Sequence, residues 1–564
     1  MRLVKQLWWR ILRAFSRTPQ ESAEGQDAEP RTASARQDPE RESAPIQPSE
    51  QNDGPSSASD TATEAEPQVH QPRELLGQER HRGVAPVVPD ALRESSRRLS
   101  KPSGEEKTER IRHGAARRAR SKGFEYWDLP ADVRVRERLP SAIADSETAR
   151  LDAVLRTAPD SASADAEELF MILGLDMGTS CTKAIVRLPY EAGEPAIAIP
   201  APSPCRSGDD SYLWRTVLWL QEDGSFRAWP TTRATVLTSL KQGLIVAPVT
   251  ASRAEAVVAY LAFVIRYVRG WLLLNRAHLF RGRKPVWLVN LGMPAASYDE
   301  VRIAEPYRHV GAAALRLAMS DEPVTVEATR RFYNDPSVAA AGPSEEAARE
   351  LGIAVIPETA AQMTGFSKST RRASGLYLLV DVGALTLDAC MFHLNQNGSS
   401  GDHFAFMEAE VRPLGVESFY WFQSEGKTEP EFRKQCDHAL HSVVWNTKRY
   451  RDPMSEAWKP GNDVPVFLAG GGAANHLHRE IVESLGPWLR RYTPNEGIRL
   501  LELPVPRAID LPDPIGDFRR MAVAWGLSYP PTDIGDIMTM SEIEDIPPPD
   551  VVDLSGRFIS KDEV

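Results

Sequence analysis

The chain has 564 residues, 42% hydrophobic and 26% charged, with a formal net charge of −11. That is enough for one large two-lobed domain with a long tail, and the mild acidity argues against general nucleic-acid binding. Cys181, Cys205, Cys390 and Cys436 form no C-x-x-C pair and no zinc-type cluster with histidine, which excludes a disulfide framework and a structural zinc site and suits a reducing cytoplasm.

Residues 1–20 read as a basic amphipathic helix. Leu3, Val4, Leu7, Trp8, Ile11, Leu12 and Phe15 recur at three- and four-residue spacing, with Arg2, Lys5, Arg10, Arg13 and Arg17 opposite. That pattern suits an anionic membrane surface, which would place the protein at the inner face of the membrane, its competing reading being a helix that docks on a partner protein. Residues 21–165 are dominated by Ser, Pro, Glu, Gln, Asp and Ala, a composition expected to stay mostly disordered. As a flexible linker it would span roughly 65 Å. Order is expected to return near Phe124-Glu125-Tyr126-Trp127, with the stretch to Asp165 ambiguous. The arginine-rich run 110–122 lacks interleaved aromatics and reads as a solvated basic stretch.

From residue 166 the pattern changes. Met171-Ile172-Leu173-Gly174-Leu175 ends in Asp176-Met177-Gly178-Thr179-Ser180, and Ala184-Ile185-Val186 leads away, which predicts a β-hairpin with a carboxylate and a glycine at its turn. Lys241 comes next, in Leu240-Lys241-Gln242-Gly243. Ala256 to Ile265 is the strongest apolar run, short of the roughly 20 residues of a membrane span, and predicts a buried helix feeding a strand at Val286 that runs into Pro294. Ile356-Pro357-Glu358-Thr359 precedes a second hairpin of the same kind: Tyr377-Leu378-Leu379-Val380, then Asp381-Val382-Gly383-Ala384-Leu385-Thr386-Leu387-Asp388, then Ala389-Cys390-Met391-Phe392. Val466-Phe467-Leu468-Ala469 reads as a buried strand that runs into Gly470-Gly471-Gly472, with a helix from His476 to Leu485; Ala522-Val523-Ala524-Trp525-Gly526-Leu527 closes the series. Residues 531–564 read as an acidic, proline-containing flexible tail whose Arg557-Phe558-Ile559 ending is suited to docking. Glycines at such turns let backbone N–H groups approach phosphate oxygens, and the neighbouring carboxylate can hold Mg²⁺ through water or orient a water.

In order, these segments of residues 168–530 resemble the ATPase domain of the DnaK-type heat-shock chaperones, in the actin, sugar kinase and heat-shock chaperone superfamily. The resemblance implies an α/β fold with two actin-like lobes, a duplicated mixed sheet and flanking helices, over residues 166–530. It implies ATP or ADP held with Mg²⁺. Asp176 and Asp381 would anchor the metal and water; Gly178, Thr179, Ser180, Gly383, Ala384 and Thr386 would meet phosphates, with Asp388 at a strand end. Gly470, Gly471 and Gly472 would pass under the adenosine. Glu358 would help place metal and water, its competing reading being a helix N-terminal acid. Lys241 would reach the terminal phosphate, its competing reading being a solvated surface lysine.

Departures temper the expectation. Ala384 and Leu385 replace glycines, and leucine resists positive φ; Pro357-Glu358 reverses the usual order; about 45 residues between Phe419 and Val464 leave little for an adenine-clamping subdomain; fewer than 40 residues come after Gly526, so a self-contained chaperone cycle is not expected. The sequence therefore points to a slow Mg²⁺-dependent ATPase acting as a conformational switch, with partner proteins engaging the two tails. A membrane-tethered actin-like polymer, a non-hydrolysing nucleotide-binding scaffold and a small-molecule kinase are the alternatives.

Overall fold

The computed structural model describes residues 142–546, apart from 160–162, 164, 246–248, 398–400 and 507. The amphipathic segment 1–20, the basic run 110–122 and the segment 547–564 lie outside the described residues. Helix α1 (Asp145–Arg156) packs Leu151 and Leu155 into the core. The expectation of a linker up to residue 165 thus gives way to a docked helix at its end, because two leucines one turn apart suffice to seat it.

Strands β1 (Glu167–Met177) and β2 (Cys181–Arg187) form the first hairpin, antiparallel from Ile172 opposite Arg187 to Met177 opposite Thr182. Strand β3 (Ala196–Ala198) continues the meander and β4 (Trp214–Arg215) pairs with the start of β2. A separate small sheet is built from β5 (Leu218–Gln221), β6 (Phe226–Arg227) and β7 (Ala234–Leu237). The short helix α2 (Gln242–Ile245) leads towards α3 (Ala251–Asn275), which is apolar all round and therefore a core helix. It is long and apolar enough to cross a membrane, yet 83% of its most apolar stretch is buried within the protein. Helix α1 crosses it at Gly270, where a Cβ would stand 2.0 Å from the Val154 carbonyl oxygen. Strand β8 (Arg283–Met293) then runs parallel to β1 and stops at Pro294; helix α4 (Val301–Ala318) leads on, β9 (Ile353–Pro357) runs parallel to β8, and α5 (Glu358–Ser367) begins at the next residue.

The second half repeats the scheme. Strands β10 (Gly375–Val382), β11 (Leu387–Asn397) and β12 (Gly401–Arg412) form an antiparallel meander. Helices α6 (Val416–Ser424) and α7 (Glu429–Asn446) lead to β13 (Val464–Ala469), parallel to β10; α8 (His476–Tyr492) leads to β14 (Ile498–Leu501), parallel to β13. Strand β15 (Ile509–Asp510) returns to the first sheet beside β3, and α9 (Ala522–Leu527) packs against α5 and β1. The main strand orders are β15-β3-β2-β1-β8-β9 and β14-β13-β10-β11-β12-β16, with β16 (Asp536–Met538) parallel to β12.

The described residues are thus α/β, with two mixed sheets and flanking helices, and the core order 3-2-1-4-5 occurs twice. Parallel neighbours and helices on both faces explain why β1 is buried at each residue from Met171 to Met177 rather than alternating. Residues 531–546, expected in a flexible tail, instead cover the outer edge of the second sheet: β16 supplies the backbone partners that an edge strand would otherwise expose.

Candidate functional site

The two hairpin turns are built alike. Gly178 N–H donates to the Cys181 carbonyl (3.2 Å) and Gly383 N–H to the Thr386 carbonyl (2.8 Å). Outward carbonyls are tied down in each: Thr216 donates to Gly178 O through its hydroxyl (2.9 Å) and to Ser180 O through its N–H (2.9 Å). In the second turn the N–H groups of Val416 and Glu417, at the start of α6, bind the Gly383 and Ala384 carbonyls (3.2 and 2.7 Å). Among the described residues the N–H groups of Thr179, Ser180 and Ala384 take no protein acceptor, and the enclosed Ser180 Oγ has no partner. Neither Ala384 nor Leu385 is at positive φ, so the loss of glycine there carries no strain. Leu385 is buried, packed on Trp421.

The carboxylates collect beside these turns. Asp176, 5% exposed, ends β1 opposite Lys183, and the ammonium bonds Oδ2 at 2.9 Å. Asp381 stands opposite Asp388 across the second hairpin, and its Oδ2 accepts from Gln362 Nε2 at 2.9 Å. Gln362 lies one turn beyond Glu358 on α5. Glu358 Oε1 is bonded at 2.6 Å by Lys241, which is 7% exposed. The surface-lysine reading of Lys241 is therefore incorrect, and Glu358 is both a helix N-terminal acid and an ion-pair partner. Gly470, at φ 79°, lets β13 close on the second hairpin: a Cβ there would stand 2.0 Å from Asp381 Oδ1 and 2.5 Å from the Val382 carbonyl oxygen. Gly472 packs as tightly on Val382 and Val416, and Gly471 faces the Arg520 guanidinium at about 3.4 Å from where its Cβ would be.

Four acids thus share one enclosure with two lysines. Burial raises the Glu358 pKa, as do Asp176 and Asp381, against the pull of Lys241. Asp381 is raised by burial and by Asp176. Asp388 is raised well above the usual carboxylate range by burial, Asp381 and Glu358, and its Oδ1 has no partner. Burial works to lower the Lys241 pKa, but Glu358, Tyr307 and Asp176 outweigh it and hold the ammonium charged. Lys183 is likewise raised, Asp176 overcoming burial. The cleft lined by Pro294, Glu358, Gln362, Asp381, Asp388 and Glu410 has water-sized space of about 10 Å³, room for about one water.

An acid whose folded pKa is raised stabilises the fold fully below its unfolded value, about 4, and loses that contribution as pH rises through the folded value. Asp388→Asn is therefore expected to stabilise the free protein at pH 7.5 by about 1–3 kcal/mol and to make no difference near pH 4. Denaturant midpoints at the two pH values check this; a variant less stable at pH 7.5 would show the charge to be well accommodated.

The expected residues of the two hairpins lie at these turns or on β11, Glu358 heads α5, and Gly470 to Gly472 follow β13 beside Asp381 and Val382; the expected acids and Lys241 converge. Lys183, Gln362, Glu410 and Arg520 were not anticipated. Only Lys183 had a signal, since the hairpin register places it opposite Asp176. The charge surplus of four acids over two lysines suits a divalent cation. Among the described residues no three His, Cys, Asp or Glu side chains are grouped to hold a metal ion directly. The unpaired turn N–H groups suit anionic oxygens, and the cleft beside them has room for about one water. No protein-family model and no curated protein matches the chain.

Proposed function

We propose that the chain is an actin-like nucleotide-binding protein, resembling the DnaK ATPase domain, that grips Mg²⁺-ATP between its two Asp-x-Gly hairpins and works as a nucleotide-driven switch for a partner protein. The observation that carries this reading is the repeated 3-2-1-4-5 sheet, whose two equivalent hairpin turns bring Asp176 and Asp381 into mutual electrostatic reach. Fold alone does not fix function, so the reading leans on the site: paired turns with unsatisfied N–H groups, surplus buried carboxylate and two lysines.

A polyphosphate entering the cleft competes with Glu358 for Lys241 and with Asp176 for Lys183. Each exchange moves a cation onto phosphate and releases a carboxylate. Glu358, once free, is positioned at the head of α5 to orient a water; Gln362 keeps Asp381 fixed from the next turn. Bound Mg²⁺ would neutralise phosphate charge, held through water by Asp176 and Asp381. Catalysis in this scheme is positioning plus charge neutralisation. Because entry and ion-pair release are coupled, opening and closing of the cleft would follow the nucleotide.

One observation favours a second reading, a nucleotide-binding scaffold without turnover: both lysines are already neutralised within a cleft that is nearly full. Mg²⁺-dependent ATP binding and single-turnover hydrolysis by the full chain separate the two, with Asp381→Ala as control. The switch predicts hydrolysis, reduced at least 100-fold in the variant. Binding without hydrolysis supports the scaffold, and absence of binding removes both.

A further inference from the structure

The outward side of α7 and α8 carries an aromatic face, in which Trp488 is half-buried against the core and Trp445 and Tyr492 stand exposed beside it. Trp445 is 37% exposed and Tyr492 56% exposed. Trp488 joins them, its ring centroid 6.5 Å from Trp445 and 5.3 Å from Tyr492, and it stacks on His441 at 3.9 Å. Exposed Arg449 and Arg491 adjoin Trp445 and Tyr492 along their helices. Scattered single apolar residues on a surface need no explanation, but a contiguous aromatic face does.

The chain leaves the described structure beside this face. The turn Thr447–Arg451 continues α7 without a break. Arg451 donates to the carbonyls of Met540 and Ile543 and pairs with Asp545 at 3.1 Å, and the Ile546 N–H donates to the Tyr450 carbonyl at 2.7 Å. Residues 540–546 are thereby pinned to the end of α7. Tyr450 is five residues from Trp445, roughly 8 Å along a helix. Beyond Ile546 the sequence continues with Pro547-Pro548-Pro549, then Val551, Val552, Leu554, Phe558 and Ile559, interspersed with Asp550, Asp553, Asp562 and Glu563.

We propose that the Trp445–Trp488–Tyr492 face is the docking surface of the chain's own segment 547–564. Three consecutive prolines favour a polyproline II course, which aromatic faces recognise through ring stacking at low ordering cost. Eighteen residues reach about 55 Å when extended in this way, several times the distance required. The acidic residues of the segment complement Arg449 and Arg491. Tethering at Ile546 gives an effective concentration on the order of millimolar, so an intrinsic Kd of about 100 μM holds the segment docked about ten to one. The inference is independent of nucleotide binding.

Hydroxyl-radical footprinting of the full chain reads the exposure of Trp445 and Tyr492 directly. Ending the chain at residue 546, or substituting Phe558→Asp in the full chain, is expected to speed modification of both rings about three- to tenfold. A synthetic peptide of residues 547–564 at millimolar concentration should restore protection to the shortened chain. Circular dichroism and thermal unfolding of both variants check that α7 and α8 stay folded. Equal modification rates with and without the segment overturn the proposal. Protection that rises with protein concentration also overturns it, assigning the face to a second copy of the chain.

Discussion

Gly526→Ala is expected to destabilise the protein by more than about 3 kcal/mol. Helices α5 and α9 cross at this glycine, and a Cβ there would stand 1.7 Å from the Ala361 carbonyl oxygen and 2.4 Å from its carbonyl carbon. Neither side can yield. Behind α9, Gly174 of β1 already meets Ala524 O and Ser528 N at 2.4 Å from where its own Cβ would be. Both neighbours are backbone, so relief requires the helices to separate and the contact between the two halves to open. Gly365→Ala is the control on the same α5 helix: its Cβ meets nothing closer than 3.8 Å, and replacing a helical glycine there should be neutral or stabilising by up to about 1 kcal/mol. Thermal unfolding of the two variants tests the argument. A Gly526→Ala protein melting within about one degree of the parent, roughly 1 kcal/mol for a body of about 400 residues, would defeat it.

Lys241→Met should cost about 3 kcal/mol at neutral pH, because it strands a buried carboxylate. Glu358 keeps Asp176 and Asp381 as electrostatic neighbours and loses the cation 2.6 Å away that opposes them. Its pKa then rises further, so the penalty is absent below about pH 4 and grows as pH rises through the new folded value. Glu358→Gln in the same chain should recover most of the loss, with a coupling energy above about 1 kcal/mol in a double-mutant cycle. Additive effects would mean that the ion pair contributes nothing beyond its separate groups.

The hairpins were legible because their information is local: an apolar run, Asp-x-Gly, and a second run within about fifteen residues. Asp176 and Asp381 could be named from that pattern alone, Asp388 only through the family resemblance, and α3 from its apolar run. The register even held Lys183, which the alternation of two strands puts opposite Asp176. The burial of Lys241 was not legible, because Leu240-Lys241-Gln242-Gly243 looks like a surface turn and the partner that justifies its burial lies 117 residues away. Arg520 carried no signal at all, since only the folding of residues 518–520 beside the glycine turn brings it to Gly471. Helix α1 and strand β16 were missed for the opposite reason. Their own sequences are polar and short, and what orders them is a groove or a sheet edge supplied by distant residues.

The way α9 and β15 return to the first sheet has a consequence for biosynthesis. Gly174 emerges about 350 residues before Ala524, the backbone it must pack against, and Ala196 about 310 residues before its pairing partner Ile509. At a ribosomal pace of roughly 5–20 residues per second, the first sheet waits between about 15 and 70 seconds with one face and one edge unmatched. During that interval the nascent chain presents apolar β1 and the open edge of β3 to whatever else is nearby. The amino-terminal half thus finishes its sheet only when the last helix arrives, whatever the finished protein goes on to do.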